Sequence, residues 1–279
     1  MYWRPFIQQA LEEDIRGGDH TTLSCIGASA KGQAQLHIKD QGILAGVELA
    51  QEIFQQLDPA MQMSILIGDG ASINHGQIAF ELFGNARAIL MGERLALNCL
   101  QRMSGIATLT HAYVKKVEGY RAKILDTRKT TPLFRAAEKR AVEIGGGCNH
   151  RFGLFDMIMI KDNHIDFAGG IEQAIIAVVQ YQQAKQLNLK VEIEARTLKD
   201  VELMLKTGHV DRIMLDNFTI EDTARAVSLI DHKTETEASG GVTLETAREI
   251  ASTGVDFISV GALTHSYRSL DLSLKAKIL

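Results

Sequence analysis

Cysteine is scarce in this chain. Its 279 residues include three, Cys25, Cys99 and Cys148, with no CxxC pair among them. Neither a disulfide framework nor a structural zinc site is expected, and a reducing, cytoplasmic setting fits. No run reaches the ~18 apolar residues of a membrane span, so no membrane partner is expected. The opening MYWRPFIQQALEED lacks a basic stretch followed by an apolar one, so no signal peptide is expected. Nine histidines offer no HxH, HxxxH or HExxH spacing, which argues against catalytic zinc. GxSxG is absent, and with it the hydrolase nucleophile elbow. Walker A and GxGxxG are absent too, which disfavours the ordinary nucleotide and dinucleotide folds. A broad positive charge is also lacking. The net charge is −4 and the pI about 6.1, which argues against nucleic acid as a partner.

Against that acidic background stands one basic island. Between Arg121 and Lys161 there are nine Lys/Arg and four Asp/Glu. The cations are interleaved with Gly, Thr and Asn, which suit close turns and extra hydrogen bonds. A local basic island in an acidic chain points to a focused site for small, multiply charged anions.

The chain is 46% apolar, enough for a core, and its length allows one large domain or two smaller ones. From about Gly105 a rhythm sets in. Short apolar segments at 122–129, 157–163, 191–195, 212–217, 236–241 and 256–263 alternate with helical stretches at 131–144, 169–187, 198–207, 219–230 and 243–253. Thr131-Pro132 reads as an N-cap followed by proline at the first helical position. Gly208 and Gly254 read as helix stops. Such alternation implies parallel strands joined by right-handed crossovers. The intervals between Glu194, Asp216, Ser239 and Gly261 are 22, 23 and 22 residues, a regularity that favours a β/α barrel over a doubly wound sheet. Residues 1–104 lack the rhythm and read as a separate α+β domain. The division expected is 1–104 and 105–265, with the tail 266–279, which has no strand signal, packing back on the first domain.

In a barrel the C-terminal strand ends converge on one face, where the chemistry sits. Asp126, Lys161, Glu194, Asp216, Ser239 and Gly261 all fall at such ends. Arg128 and Lys129 follow a strand directly, and His150 and Arg151 leave the loop Gly145-Gly146-Gly147. Their plainer alternative is structural pairing with Asp126, Asp156 and Asp162; convergence of five cations from three segments favours anion binding instead. Glu194 and Asp216 end consecutive strands, and hard oxygen donors beside a phosphorylated substrate suit Mg²⁺; their alternative is pairing with nearby cations. Ser239-Gly240-Gly241 leads into a helix expected near Thr243, where backbone N–H groups can cradle phosphate. His164 is read as part of the IKDNH turn.

These motifs carry a family resemblance. DTRKTTP (126–132), EKRAV, GGGCNHRFGL, MIKDNHI, LEEDIRGGDHTT (11–22), GERLALNCLQRMSGIAT (92–108), VEIEARTL (191–198), IMLDNF (213–218) and EASGGVTLE (237–245) occur in the order seen in quinolinate phosphoribosyltransferases. The chain resembles that family over nearly its whole length. The resemblance implies a type II phosphoribosyltransferase fold: an N-terminal α/β sandwich with an open, incomplete β/α barrel, assembled as a homodimer or larger homo-oligomer. It implies transfer of phosphoribosyl from phosphoribosyl pyrophosphate (PRPP) to quinolinate with decarboxylation, feeding NAD synthesis. It also implies site residues. Arg128, Lys129, His150, Arg151 and Lys161 match the quinolinate-binding cations. Thr130 lies among the substrate contacts, and Lys129 and Lys161 also lie near the donor. Arg94, otherwise a solvated helix charge, matches an arginine supplied to the neighbouring subunit's site. Glu194 and Asp216 match the acidic pair near the ribose hydroxyls and Mg²⁺, bound directly or indirectly. Ser239, Gly240, Gly241 and Gly261 match the 5′-phosphate site. Lys129, Lys161, Glu194 and Asp216 are the expected catalytic set. One departure stands out: the family's TTPGLR is TTPLFR here, with Leu133 in place of a glycine. Alternatives are a paralogue with another acceptor, such as nicotinate or that of a molybdenum-transport-associated relative, a lyase forming a Schiff base on Lys161, and a non-catalytic anion-binding protein.

Overall fold

The computed structural model describes residues 3–277. In chain order its strands are β1 (Lys31–Ile38), β2 (Gly42–Ile43), β3 (Gln62–Ile65), β4 (Ser72–Ile73), β5 (Ile78–Asn85), β6 (Lys123–Leu125), β7 (Ile158–Ile160), β8 (Val191–Ala195), β9 (Arg212–Asp216), β10 (Glu235–Ser239), β11 (Phe257–Ser259) and β12 (Leu272–Lys277). The chain divides into two compact units. One contains residues up to His111, Thr130–Gly146 and the stretch from Leu263 onward; the other contains Ala112–Lys129 and Gly147–Ala262. Residues 130–146, counted with the barrel in the sequence reading, thus cluster with the first unit.

The first unit is built on an antiparallel sheet of order β12-β1-β5-β3. Alternation in β1 buries Ala34, Leu36 and Ile38. The helix Val47–Leu57 buries one stripe, Val47, Leu49, Ala50, Ile53 and Phe54, at the spacing of a core-facing helix. Asp69 caps its start, accepting from Val47 N at 2.8 Å. The tail does form a strand: β12 pairs with β1 and buries Leu272 and Leu274. Its alternation is only LSLKAK, too short to announce a strand without a partner edge.

The second unit contains six parallel strands in the order β6-β11-β10-β9-β8-β7. No ladder joins β6 to β7, so the barrel is open, as expected; an isolated bridge from Leu125 to Cys148 extends the β6 edge. Register divides the side chains between two faces. Ile124, Ile193, Ile213, Leu215, Ala238 and Ile258 share one face and are buried. The amphipathic helices Leu198–Thr207 and Ile220–Ile230 bury Val201, Met204, Ala226 and Ile230. Their starts are written locally: Thr197 and Asp200 form a capping box, and Thr219 accepts from Asp222 N. The other sheet face holds Glu192, Glu194, Arg212, Met214, Asp216, Glu235, Glu237 and Ser239.

Two expected helix starts are displaced. The helix expected from 131 begins at Arg135, and Thr131–Phe134 form a turn closed by Phe134 N to Thr131 O. Leu133 has φ +63, which no helix accepts, so Pro132 is not at a first helical position. The helix expected near Thr243 runs from Ala247 to Ser252, because Thr243 and Thr246 spend their side chains on a turn of their own. The helix expected over 169–187 runs from Ile171 to Lys185, and an unexpected short helix, Asp162–Ala168, precedes it, separated by Gly169 and Gly170 at φ +89 and +138.

Candidate active site

Parallel strands bring their C-terminal ends to one edge of the second unit. Asp126 follows β6, Lys161 follows β7, Glu194 lies near the end of β8, Asp216 and Ser239 end β9 and β10, and Gly261 follows β11. Lys161 Nζ lies 2.6 Å from Glu194 Oε1, and Asp162 N donates to Glu194 Oε2 at 3.2 Å. Arg151 is half-buried. Burial pushes its pKa down, and the neighbouring Arg128 pushes it further, while Glu192, Asp156 and Glu194 oppose the shift. A half-buried guanidinium within the field of a second arginine marks a place where an anion is welcome. Asp156 shapes the loop that carries Arg151, accepting from Phe152 N at 2.6 Å and Gly153 N at 2.9 Å. Lys129 is exposed, with its amide held by Thr127 Oγ1 at 3.0 Å. His164 Nδ1 accepts from Lys161 N at 2.9 Å, which fixes the turn behind Lys161.

Beneath this edge lies a buried charged layer that the sequence reading did not single out. Glu192, Glu237, Arg212 and His150 are all buried. Arg212 Nη1 lies 2.9 Å from Glu237 Oε2, its Nη2 lies 3.0 Å from Glu235, and its guanidinium sits 4.0 Å over the ring of Phe257. Burial pushes the Glu192 and Glu237 carboxyls up to about 7 each. The neighbouring Glu192 charge adds to this for Glu237, while Arg212 pulls both back. A signal was available. In VEIEA and ETEAS the charged residues recur every second position, so Glu192 must share a face with Glu194, and Glu237 with Ser239.

His150 Nε2 lies 2.8 Å from Glu192 Oε2 and 3.5 Å from Glu237 Oε2, and the three side chains are close enough to hold a metal ion. The ring argues against a metal. Its Nδ1 accepts the Arg151 amide at 2.7 Å, so the ring proton belongs on Nε2, the atom a metal would need. The side chain of His150 is 5% exposed.

At the other end of the edge, Gly240 has φ +97, and a Cβ there would lie 2.1 Å from Asn217 Oδ1. Only glycine fits that approach. Asn217 donates to Asp216 Oδ2 at 2.9 Å and takes a left-handed φ of its own. Ser239 lies beside Asp216 in register, so Asp216, Ser239, Gly240 and Gly241 form one stretch of rim.

Two expected site residues belong to the first unit. Thr130 Oγ1 accepts from Arg135 Nε at 2.9 Å, and Arg94 is exposed on the helix Ala86–Lys116.

The chain matches two family models, the N-terminal domain of quinolinate phosphoribosyl transferase over residues 19–104 and the C-terminal domain over residues 106–275. A quinolinate phosphoribosyltransferase (decarboxylating) 1b of Nicotiana tabacum is 45% identical, over 96% of this chain and 81% of its own. A chloroplastic nicotinate-nucleotide pyrophosphorylase (carboxylating) of Arabidopsis thaliana is 46% identical over the same shares. The crystal structure of NadC from Streptococcus pyogenes matches with a TM-score of 0.93 at 37% identity, covering 100% of this chain and 97% of that one. With both domains matched in order and the open parallel sheet in place, this chain belongs to the quinolinate phosphoribosyltransferase family.

Proposed function

We propose that this chain transfers phosphoribosyl from PRPP to quinolinate, releasing pyrophosphate and CO₂ and yielding nicotinate mononucleotide for NAD synthesis. The observation that carries the reading is the strand-end cluster in which half-buried Arg151 feels the charges of Arg128 and Glu194, with Lys161 paired to Glu194. A dianionic acceptor must meet a polyanionic donor, and their repulsion opposes that encounter. Arg128, Lys129, Arg151 and Lys161 offset it in a partly water-excluded setting. Arg151, with its planar fork, suits a carboxylate; Lys129 and Lys161 suit donor phosphates as compact charges, with Thr130 an added contact. Ser239, Gly240, Gly241 and Gly261 hold the 5′-phosphate through backbone N–H groups.

Holding the ring nitrogen against C1′ turns an encounter of two molecules into an oriented step. As pyrophosphate leaves, positive character grows on the ribose, and Glu194 and Asp216 stabilise it. The N-ribosylated pyridinium then accepts the electron pair left by the 2-carboxylate as CO₂, and the ring carbon is protonated. The carboxylates Glu194 and Asp216, on adjacent strands, would hold Mg²⁺, directly or through water. When bound, the ion neutralises charge on the leaving group. We further propose a homodimer in which Arg94 reaches the neighbouring subunit's site. A cytoplasmic setting is supported by three cysteines that are all free; relatives named as mitochondrial or chloroplastic also occur. The Schiff-base lyase reading is weaker, because Lys161 donates to Glu194 at 2.6 Å instead of presenting a free amine.

The test is a product assay with PRPP, Mg²⁺ and either quinolinate or nicotinate. Nicotinate mononucleotide with CO₂ from quinolinate alone is expected. Product from nicotinate, or from neither acid, would assign the chain to a paralogue with another acceptor.

A further inference from the structure

We infer that Glu138 and Arg102 are positioning residues for the anion-binding segment 128–131, which they hold through Thr131; this rests on the phosphoribosyl-transfer reading above. The segment is tied down at both ends. At the near end the Lys129 amide donates to Thr127 Oγ1 at 3.0 Å. At the far end Thr131 is gripped twice. Its amide donates to Glu138 Oε2 at 2.9 Å, and its Oγ1 accepts from Arg102 Nη2 at 2.8 Å. Arg102 Nη2 also lies 3.2 Å from Glu138 Oε1, which closes a ring of three bonds. Glu138 is fully buried, so its charge is sustained by the groups that bond it. Beside Thr131, Thr130 Oγ1 accepts from Arg135 Nε at 2.9 Å. The two hydroxyls of this threonine pair are thus held from two different helices, Ala86–Lys116 and Arg135–Ile144.

Arg102 is itself aimed. Its guanidinium lies 5.4 Å from the centre of the Phe134 ring and 5.5 Å from that of Tyr267, both within the range where a ring face attracts a cation. The helix passes so close to the tail that a Cβ at Gly105 would lie 2.3 Å from Arg268 O. That approach sets Tyr267 against Arg102, one turn back along the helix. Phe134 is buried and packs on Phe6 at 5.4 Å. Between Thr131 and Phe134 stands Leu133, exposed and at φ +63. A residue in that conformation persists only where its surroundings over-determine it. Without the grip on Thr131 the turn relaxes, and Thr130 and Lys129, the next residues back along the chain, lose their placement. Glu138 and Arg102 therefore act on the donor phosphates through Lys129, as supporting groups that aim a binding group.

The test is a double-mutant cycle on donor binding. In Glu138→Gln one acceptor oxygen becomes an NH₂ donor, so the side chain cannot accept from both the Thr131 amide and Arg102. KM for PRPP should rise about tenfold, with kcat changed less than about threefold. In a Lys129→Ala background the same substitution should change KM for PRPP by less than about twofold, because the charge it misplaces is already gone. A merely structural loss would cost the same factor in both backgrounds. That result, or an unchanged KM in Glu138→Gln, overturns the inference. If Glu138→Gln does not fold, Thr131→Val, which deletes an exposed hydroxyl, gives the same comparison with a rise of about threefold, while Thr131→Ser should match the parent. Equal effects of valine and serine would overturn the inference as well. Failure of the function reading shows separately, as no product from quinolinate in the unmodified chain.

Discussion

Arg151 and Leu133 put opposite demands on a single residue. Burial and the charge of Arg128 both disfavour the charged form of Arg151, a cost that an anion would relieve. Arg151→Ala should therefore weaken quinolinate much more than PRPP. A charge-assisted hydrogen bond is worth about 1.5–3 kcal/mol, so KM for quinolinate should rise on the order of tenfold to a hundredfold. Steady-state kinetics with each substrate varied in turn would check this, and equal weakening of both would undo the division of roles. Leu133 is 85% exposed, so it gains little from burial, yet it holds φ +63. A left-handed L-residue costs about 1–2 kcal/mol, offset in part by the greater chain entropy of glycine. Leu133→Gly should raise stability by up to ~1 kcal/mol in urea unfolding, and Leu133→Ala should not. The sequence resemblance marks Leu133 as a departure from the family's TTPGLR pattern. Its backbone angle gives the physical meaning of that departure.

The elements separate into those written locally and those that are not. Helix Leu198–Thr207 was legible in its extent, with Gly208 as its stop, and the structure adds the capping box of Thr197 and Asp200 at its start. Thr197→Ala should cost about 1 kcal/mol, readable as a lower unfolding midpoint with the slope unchanged. Helix Ala247–Ser252 was misplaced at its start because threonine serves equally as a cap and as a turn former, and Thr243 with Thr246 chose the turn. Strand β12 escaped notice because its two buried leucines gain an environment only from β1. The six parallel strands were legible because buried strands read as short apolar runs ending in a polar residue. Their second polar position was the harder part. Glu192 and Glu237 looked like ordinary strand charges until register put them on the same face as Glu194 and Ser239.

At the scale of the molecule, that buried layer ties stability to pH. In the unfolded chain the carboxyls of Glu192 and Glu237 ionise near 4.5; in the fold both are pushed up to about 7. Between those values the folded state holds more protons than the unfolded state. Stability contributed by the pair therefore falls as pH rises from about 4.5 to about 7, then levels off. Glu237→Gln, which cannot ionise there, should show a shallower decline than the parent in thermal melts across that window. Parallel declines would mean that the pair does not carry the effect. The sequence by itself determined the alternation of parallel strands with helices and the placing of Lys161, Glu194 and Asp216 at strand C-terminal ends, because strand–helix alternation and the residue at each strand end are local properties; that the barrel is open was implied by the family resemblance. Only the tertiary structure decided that His150 lies beneath that edge between two carboxyl groups, that Arg212 braces them, and that the tail completes a sheet more than two hundred residues upstream. Those contacts join residues far apart in the chain, and whether a charge faces water or a buried partner depends on what the fold brings beside it.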